Sequence, residues 1–375
     1  MYRNEFRKVI RFIPMWGYLI FCLFLNLILT FNADGAIEFN RMSEALKHTG
    51  TRPSIESVAE LPEGEIRDEL QAIASSDESL YDSYDVSSEL ASGYIRKVSG
   101  SPMAVSMLES KYDKVQERVD HLADIEADRD AYAGSYTTIC YKELFTSFLP
   151  ALTAESSILA MLLTVYLFSY ESNTNTYYLI ACTKKGRNVN TCKLITALVS
   201  SLLFYAILTV LSLLIYFGHW NYDGIWDSNI SSMYNMISDA IVRKPFITVT
   251  DLTVRQYITA TLALGTVLVT VAVLFASVIG LLVKKTYVAG LLTLIIPAFG
   301  VFLSTIFSNA GLWGAYLLTT MLPVNIWTSQ HVWFTEGGIY APCMWYEVKG
   351  LGCALILFTI LTITTLRYSR RRDIA

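Results

Sequence analysis

Few side chains in this sequence are arranged for chemistry. The four histidines, His48, His121, His219 and His331, are scattered with no metal-ligand spacing and read as surface residues. No G-x-x-x-x-G-K-[ST] loop is present to cradle a nucleotide phosphate, and no H-E-x-x-H, G-x-S-x-G or C-x-x-C pattern occurs. Two polar side chains stand out because they fall in long apolar runs. Glu155 is an acid near the start of one, where a carboxylate is costly and is a pathway candidate unless it snorkels into headgroups. Asn26, in another, fits a hydrogen bond between helices and is the second pathway candidate. Of the six cysteines, Cys22 and Cys353 lie in apolar runs, and Cys182 and Cys192 lie near basic residues. Cys140 and Cys343 lie in polar segments close to apolar runs, where they could pair in an oxidising exterior.

The elements that position these residues are six apolar runs, at 12–31, 151–170, 194–217, 257–283, 288–307 and 350–366. Each approaches or exceeds the roughly 20 residues that cross a bilayer, and only a helix satisfies its own backbone there. Basic residues collect before the first run (Arg3, Arg7, Lys8, Arg11), between the second and third (Lys184, Lys185, Arg187, Lys193), between the fourth and fifth (Lys284, Lys285) and after the sixth (Arg367, Arg370, Arg371, Arg372). Six crossings bring all four clusters to one side, which the positive-inside rule makes cytoplasmic, with both termini inside. Residues 33–149 carry 23 acidic against 11 basic side chains, so the opposite face is acidic although the whole chain has a net charge of only −4. The first run exceeds a signal-peptide core and is expected to stay attached. The fold class expected is all-α: a polytopic helix bundle with six transmembrane helices.

Residues 32–150 are too many for a connector and form a helical extracellular domain. Residues 103–132 place Val105, Leu108, Tyr112, Val115, Val119, Leu122 and Ile125 three and four apart, which predicts one long amphipathic helix packed on its neighbours. Ser101-Pro102 suits its start. Further helices are expected at 64–75 and 79–98. Residues 218–256 read as a second outer loop. Residues 308–349 are outside by topology yet apolar. The stretch 312–322 is about half a crossing, and Trp313, Tyr316, Trp327, Trp333, Trp345 and Tyr346 suit the headgroup belt, so short re-entrant helices are expected before the last span. Gly265, Gly280, Gly290 and Gly300 are expected at close helix contacts.

The cytoplasmic segment 171–193 combines an apolar patch, Tyr177, Tyr178, Leu179 and Ile180, with a basic stretch. Such a segment lies on a membrane surface or docks on a partner. Gly186 suits a turn back, and Arg187 and Lys193 suit lipid phosphates or an acidic groove. Here the chain resembles the type-2 ABC exporter permeases. In that family the second span ends in an acid, a short amphipathic helix and a Thr–Pro/Lys–x–Gly/Ser–Arg turn follow, and a Lys opens the third span. Glu171, Asn175-Thr176, Thr183, Gly186-Arg187 and Lys193 occupy those places, with Asn175 where the family has Gly and Lys184 in place of Pro. The likeness covers residues 1–31 and 140–375.

The resemblance implies a transport subunit with no catalytic residues and no cofactor of its own. ATP and Mg would be bound by two copies of a separate ATP-binding subunit, and a second permease, identical or similar, would complete the pathway in a bacterial plasma membrane. It makes Glu171, Tyr177, Tyr178, Leu179, Ile180, Thr183, Gly186, Arg187 and Lys193 the coupling residues; residues 1–11 are either an interfacial helix, with Phe6, Val9 and Ile10 on one side, or a plain basic flank that sets the topology. Cargo is open among peptides, lipids and drug-like molecules. The other reading is a sensor or mechanotransmission protein whose outer helical domain binds a peptide or envelope partner.

Overall fold

A computed structural model describes residues 2–174, 176, 188–238, 243–283 and 285–371. Helix α1 (Tyr2–Arg11) precedes α2 (Ile13–Phe31), the first of six helices long and apolar enough to cross a membrane. Then come α3 (Ala36–Thr49), α4 (Ile55–Ala59), α5 (Glu65–Ser75), α6 (Ser92–Val98), α7 (Pro102–Asp124) and α8 (Thr137–Cys140). A wider π-type stretch, Tyr141–Phe148, joins α8 to α9 (Leu149–Asn173), making the second span one long rod. Helices α10 (Val189–His219), α11 (Val254–Leu282) and α12 (Thr286–Asn309) are the next three spans. The short helices α13 (Trp313–Thr319) and α14 (Pro323–Thr328) lead to the sixth, α15 (Tyr346–Arg371). A hairpin of β1 (Met236–Ser238) and β2 (Arg243–Pro245), with Ile237 opposite Lys244, is the one strand pair among the described residues.

All six expected spans are present, and most helices overrun the apolar runs. Polar residues outside a run can continue a helix when they satisfy its end. Thr253 does this for α11: its hydroxyl accepts the Gln256 N–H while the Gln256 side chain takes the Thr253 N–H. Helix α11 is the hub of the bundle, packed on α9, α15 and α10. Gly265 and Gly280 on α11 permit this: an added Cβ would meet the Tyr205 hydroxyl at 2.6 Å and the Phe168 Cβ at 2.9 Å. Gly300 is similarly close to Val324, but Gly290 has open space around it and serves no close contact. Helix α12 buries least, as expected of a helix whose apolar surface faces outward from the bundle.

The segment between α2 and α9 does not build its lobe alone. It packs with residues 220–238, 243–253 and 312–345 at one end of the bundle. Phe39, Leu70, Tyr132, Trp220, Phe246 and Trp333 share one core, continuous with Tyr257 and Leu264 of α11. Helix α7 buries Leu108, Tyr112, Val115, Val119 and Leu122 against Tyr81, Leu90, Ile247, Leu317 and Ile339, so its expected seam is a core face. It stops at Asp124 rather than running to Tyr132, because Glu126 and Tyr132 take positive φ. The expected helix at 79–98 forms only from Ser87 onward. Asp128 accepts hydrogen bonds from the Ser79 hydroxyl and the Leu80 and Tyr81 N–H groups, which holds 79–81 out of a helix.

Candidate functional site

The ends of the bundle differ in chemistry. At the end opposite the lobe, α1, the last turn of α9 and the first turns of α10 converge on four ionisable side chains. Lys8 donates to Glu171 and to Glu5, both at 2.7 Å. Lys193 donates to the other oxygen of Glu171 and to the Phe168 carbonyl at 3.3 Å. Glu171 thus bridges two ammonium groups, and its side chain and that of Lys193 are only 4% and 3% exposed. Two positive and two negative charges cancel, as burial requires. Burial opposes the charge on Lys8, but Glu171 and Glu5 outweigh it and raise its pKa. Lys8 also lies over the Tyr170 ring, 4.6 Å from its centre.

Glu171 and Lys193 are two of the expected coupling residues and flank the segment that begins at Thr174. The structure brings them together and turns both inward. Tyr177, Tyr178, Leu179, Ile180, Thr183, Gly186 and Arg187 lie outside the described residues. Neighbouring elements are tied to the same end: the Thr286 hydroxyl donates to Asn173 at 2.7 Å, and the Asn190 amide donates to the Ser369 hydroxyl at 3.3 Å. Residues 2–11 are helical, with a different face inward from the one the apolar spacing suggests. Glu5 and Val9 are buried while Ile10 is 65% exposed, because the acid and Lys8 follow the Glu171 carboxylate into the bundle. The sequence hid Lys8 inside a basic flank. Its spacing of three from Glu5 is the only local sign of an ion pair.

The two pathway candidates meet one to two turns below the lobe. The Asn26 amide donates to Glu155 at 2.9 Å and to the Ser212 hydroxyl at 3.1 Å, joining α2, α9 and α10. Glu155 therefore points into the bundle instead of snorkelling. The hydroxyl of Tyr18 reaches the Glu155 carbonyl at 3.3 Å. Ser212, one of many hydroxyl residues along α10, carried no mark in the sequence.

In the lobe, Lys111 of α7 is fully buried. Its ammonium donates to the carbonyls of Gly338 at 2.7 Å, Glu336 at 2.9 Å and Ala341 at 3.2 Å, with the Glu336 carboxylate at 3.4 Å. This joins two chain segments more than 200 residues apart, which no local pattern announces. Cys140 and Cys343 do not pair: the Cys140 thiol is buried 3.0 Å from the Tyr222 hydroxyl, and Cys343 lies beside Lys349. Trp333 and Tyr346 are core residues, not belt residues. The Trp333 indole donates to Ile326 at 2.8 Å, and the Tyr346 hydroxyl meets Ser329 at 2.8 Å. His121 pairs with Asp251 at 3.0 Å, and His219 packs on Phe31. Among the described residues, no cluster of His, Cys, Asp or Glu could hold a metal ion.

No family model, curated protein or solved structure matches the chain.

Proposed function

We propose that the chain is the membrane subunit of an ATP-driven exporter of the type-2 ABC permease kind, with the end bearing Glu171 and Lys193 in the cytoplasm. One observation carries this reading. The N-terminal helix and both flanks of the 174–187 segment are fastened by one buried ion-pair cluster, Glu5–Lys8–Glu171–Lys193. A segment that transmits force from a motor needs rigid attachments on both sides, or the stroke is absorbed locally. The ion pairs provide them here, and the hub helix α11 packs directly on the α9 rod they hold. On this reading, residues 171–193 engage a separate ATP-binding subunit, present in two copies with its ATP and Mg. A second permease completes the pathway, and the lobe is extracellular with α13 and α14 re-entrant beneath it. The nucleotide acts only through contacts that differ between two states of the bundle.

The test is co-purification with a P-loop ATPase, followed by ATP turnover in lipid with and without Arg187→Ala. The variant should remain in the membrane, bind the ATPase more weakly and lose stimulated turnover. Full turnover in the variant, or failure of the wild type to retain any ATPase, removes the reading.

A second reading, a sensor or mechanotransmission protein, is favoured by a groove of about 690 Å³ on the lobe. It lies between α3 and α5, with Arg41, His48, Pro62, Ile66 and Tyr136 among its walls. Loss of signalling but not of export on filling this groove, for example with Ala45→Trp, separates the two.

A further inference from the structure

In the layer where α2, α9 and α10 meet, the carboxyl group of Glu155 has no positive charge against it among the described residues. Glu155 is 8% exposed, and the side chains that touch its carboxyl group among the described residues are neutral: the Asn26 amide and the Cys22 thiol. Tyr18 and Cys22, both on α2, are the titratable groups that face it. Helix α10 presents Ser212 and Leu208 to this layer, and α11 presents Leu262. By contrast, Glu171, nearer the opposite end of the same helix, has two ammonium groups. A lone carboxylate away from water is strongly disfavoured, and taking up a proton removes the penalty without any partner.

Two further features single this place out. Asn26 is 1% exposed, and its amide oxygen has no hydrogen-bond partner although its nitrogen has two. A buried acceptor of that kind is costly unless something donates to it. Along α10, polar residues then recur at steps of three or four on the buried face: Lys193, Thr196, Ser200 with Ser201, Tyr205, Thr209 and Ser212. The hydroxyl oxygens of Thr196, Ser200 and Ser201 are buried and unpartnered, as is that of Ser169 on α9. Ordinary helix packing satisfies such hydroxyls on the carbonyl four residues back, as Thr153, Ser156, Ser157 and Thr164 of α9 do here. Rows of buried hydroxyls without partners are where proteins hold internal water.

We propose that Glu155 is a proton-binding site inside the bundle, set by Asn26 and Ser212 and reached along the hydroxyl seam of α10. The ligand is a proton, which a single carboxyl group with neutral neighbours can take. A metal cation would demand more oxygen ligands than this layer offers. The proton binds the Glu155 carboxylate, one charge is neutralised, and no other bond changes. The track runs from Ser212 toward Lys193 over about 28 Å, from 19 residues of helical rise, while the lobe lies within about 11 Å of Ser212. The site therefore lies between the two ends of the bundle with a polar route toward one of them. This inference does not depend on the exporter reading.

The test uses the full chain in lipid nanodiscs and a hydrophobic carbodiimide, which adds to a carboxylic acid in its protonated form and leaves a stable acylurea. Mass spectrometry should find the adduct on Glu155, absent in Glu155→Gln. Its yield should fall about tenfold per pH unit above a midpoint. Sodium or potassium at fixed pH should leave the yield unchanged. Absence of the adduct at every pH, a yield independent of pH, or suppression by either cation each overturns the proposal.

Discussion

Replacing Glu171 by Gln removes the carboxylate that holds one buried and one half-buried ammonium group. Gln keeps one neutral acceptor oxygen, so one ammonium group loses its acceptor and both lose the negative charge, while Lys193 retains the Phe168 carbonyl and Lys8 retains Glu5. Breaking a buried pair from one side costs about 3–5 kcal/mol, chiefly the penalty of the charge left behind. With roughly 2 °C of midpoint shift per kcal/mol for a large chain, the expected loss is about 6–10 °C. Thermal unfolding of the purified protein in detergent, followed by tryptophan fluorescence, measures it. Lys8→Met should cost less, since the Lys8 side chain is 16% exposed against 3% for Lys193. The double variant Glu171→Gln with Lys193→Met leaves a neutral pair and should recover more than half of the single-variant loss. A Glu171→Gln midpoint within about 1 °C of the wild type would show that the carboxylate holds nothing of consequence. A double loss equal to the sum of the singles would show that the two residues do not interact.

Lys111→Met should cost about 3–5 kcal/mol, because it leaves three carbonyls without their lysine donor and the buried Glu336 carboxylate without its positive partner. Amide hydrogen exchange should rise together in α7 and residues 336–341 and stay unchanged in α11. Gly224→Ala should prevent the lobe from closing on α3, since the new Cβ would run into the Ser43 carbonyl and stand 2.6 Å from the Lys47 nitrogen. Loss of the folded species on size-exclusion chromatography reads this out. At Asp251, burial opposes the charge, but hydrogen bonds from His121 and Arg118 outweigh it and hold the carboxyl below its ordinary 3.8. A depressed value in the fold means that the contribution is complete above the unfolded pKa and lost as pH falls through the folded one. Protection of α7 amides, relative to the intrinsic exchange rate at each pH, should therefore fall below pH about 3.8, and less so in Asp251→Asn.

The spans were legible in the sequence because hydrophobic run length is a local property. The lobe was legible only where its helices carry their own amphipathic period. The seam of α7 was visible, but α3, whose buried Phe39, Met42 and Leu46 keep the same period, lies among enough polar residues to pass as a connector. What closes the lobe is non-local: Lys111 with the 336–341 segment, and Asp130 accepting from the Asn229 N–H and the Arg52 guanidinium. The candidate site divides the same way. Asn26 and Glu155 were conspicuous, because polar atoms in apolar runs are rare. Ser212, which completes their layer, is one hydroxyl among many. Lys8 was masked by the basic residues around it.

The ion-pair cluster also decides which charges can recruit a partner. A charge satisfied inside the fold has little field left at the surface, so Glu171 and Lys193 serve as anchors and steer nothing. On α1 the inward turn of Glu5 leaves Arg3, Arg7 and Arg11 exposed, without the acid that stands among them in the sequence. The buried pairs therefore do two things at once. They fix the flanks of the 174–187 segment, and they turn a mixed N-terminal helix into a one-signed surface suited to acidic lipid or an acidic groove. Under the exporter reading, reversing Arg3 and Arg7 to Glu should slow association with the ATPase and weaken its salt dependence. It should leave the unfolding midpoint where it was, because neither side chain takes part in the cluster. A fall in the midpoint as large as that of Glu171→Gln would mean that the outer face of α1 is structural after all.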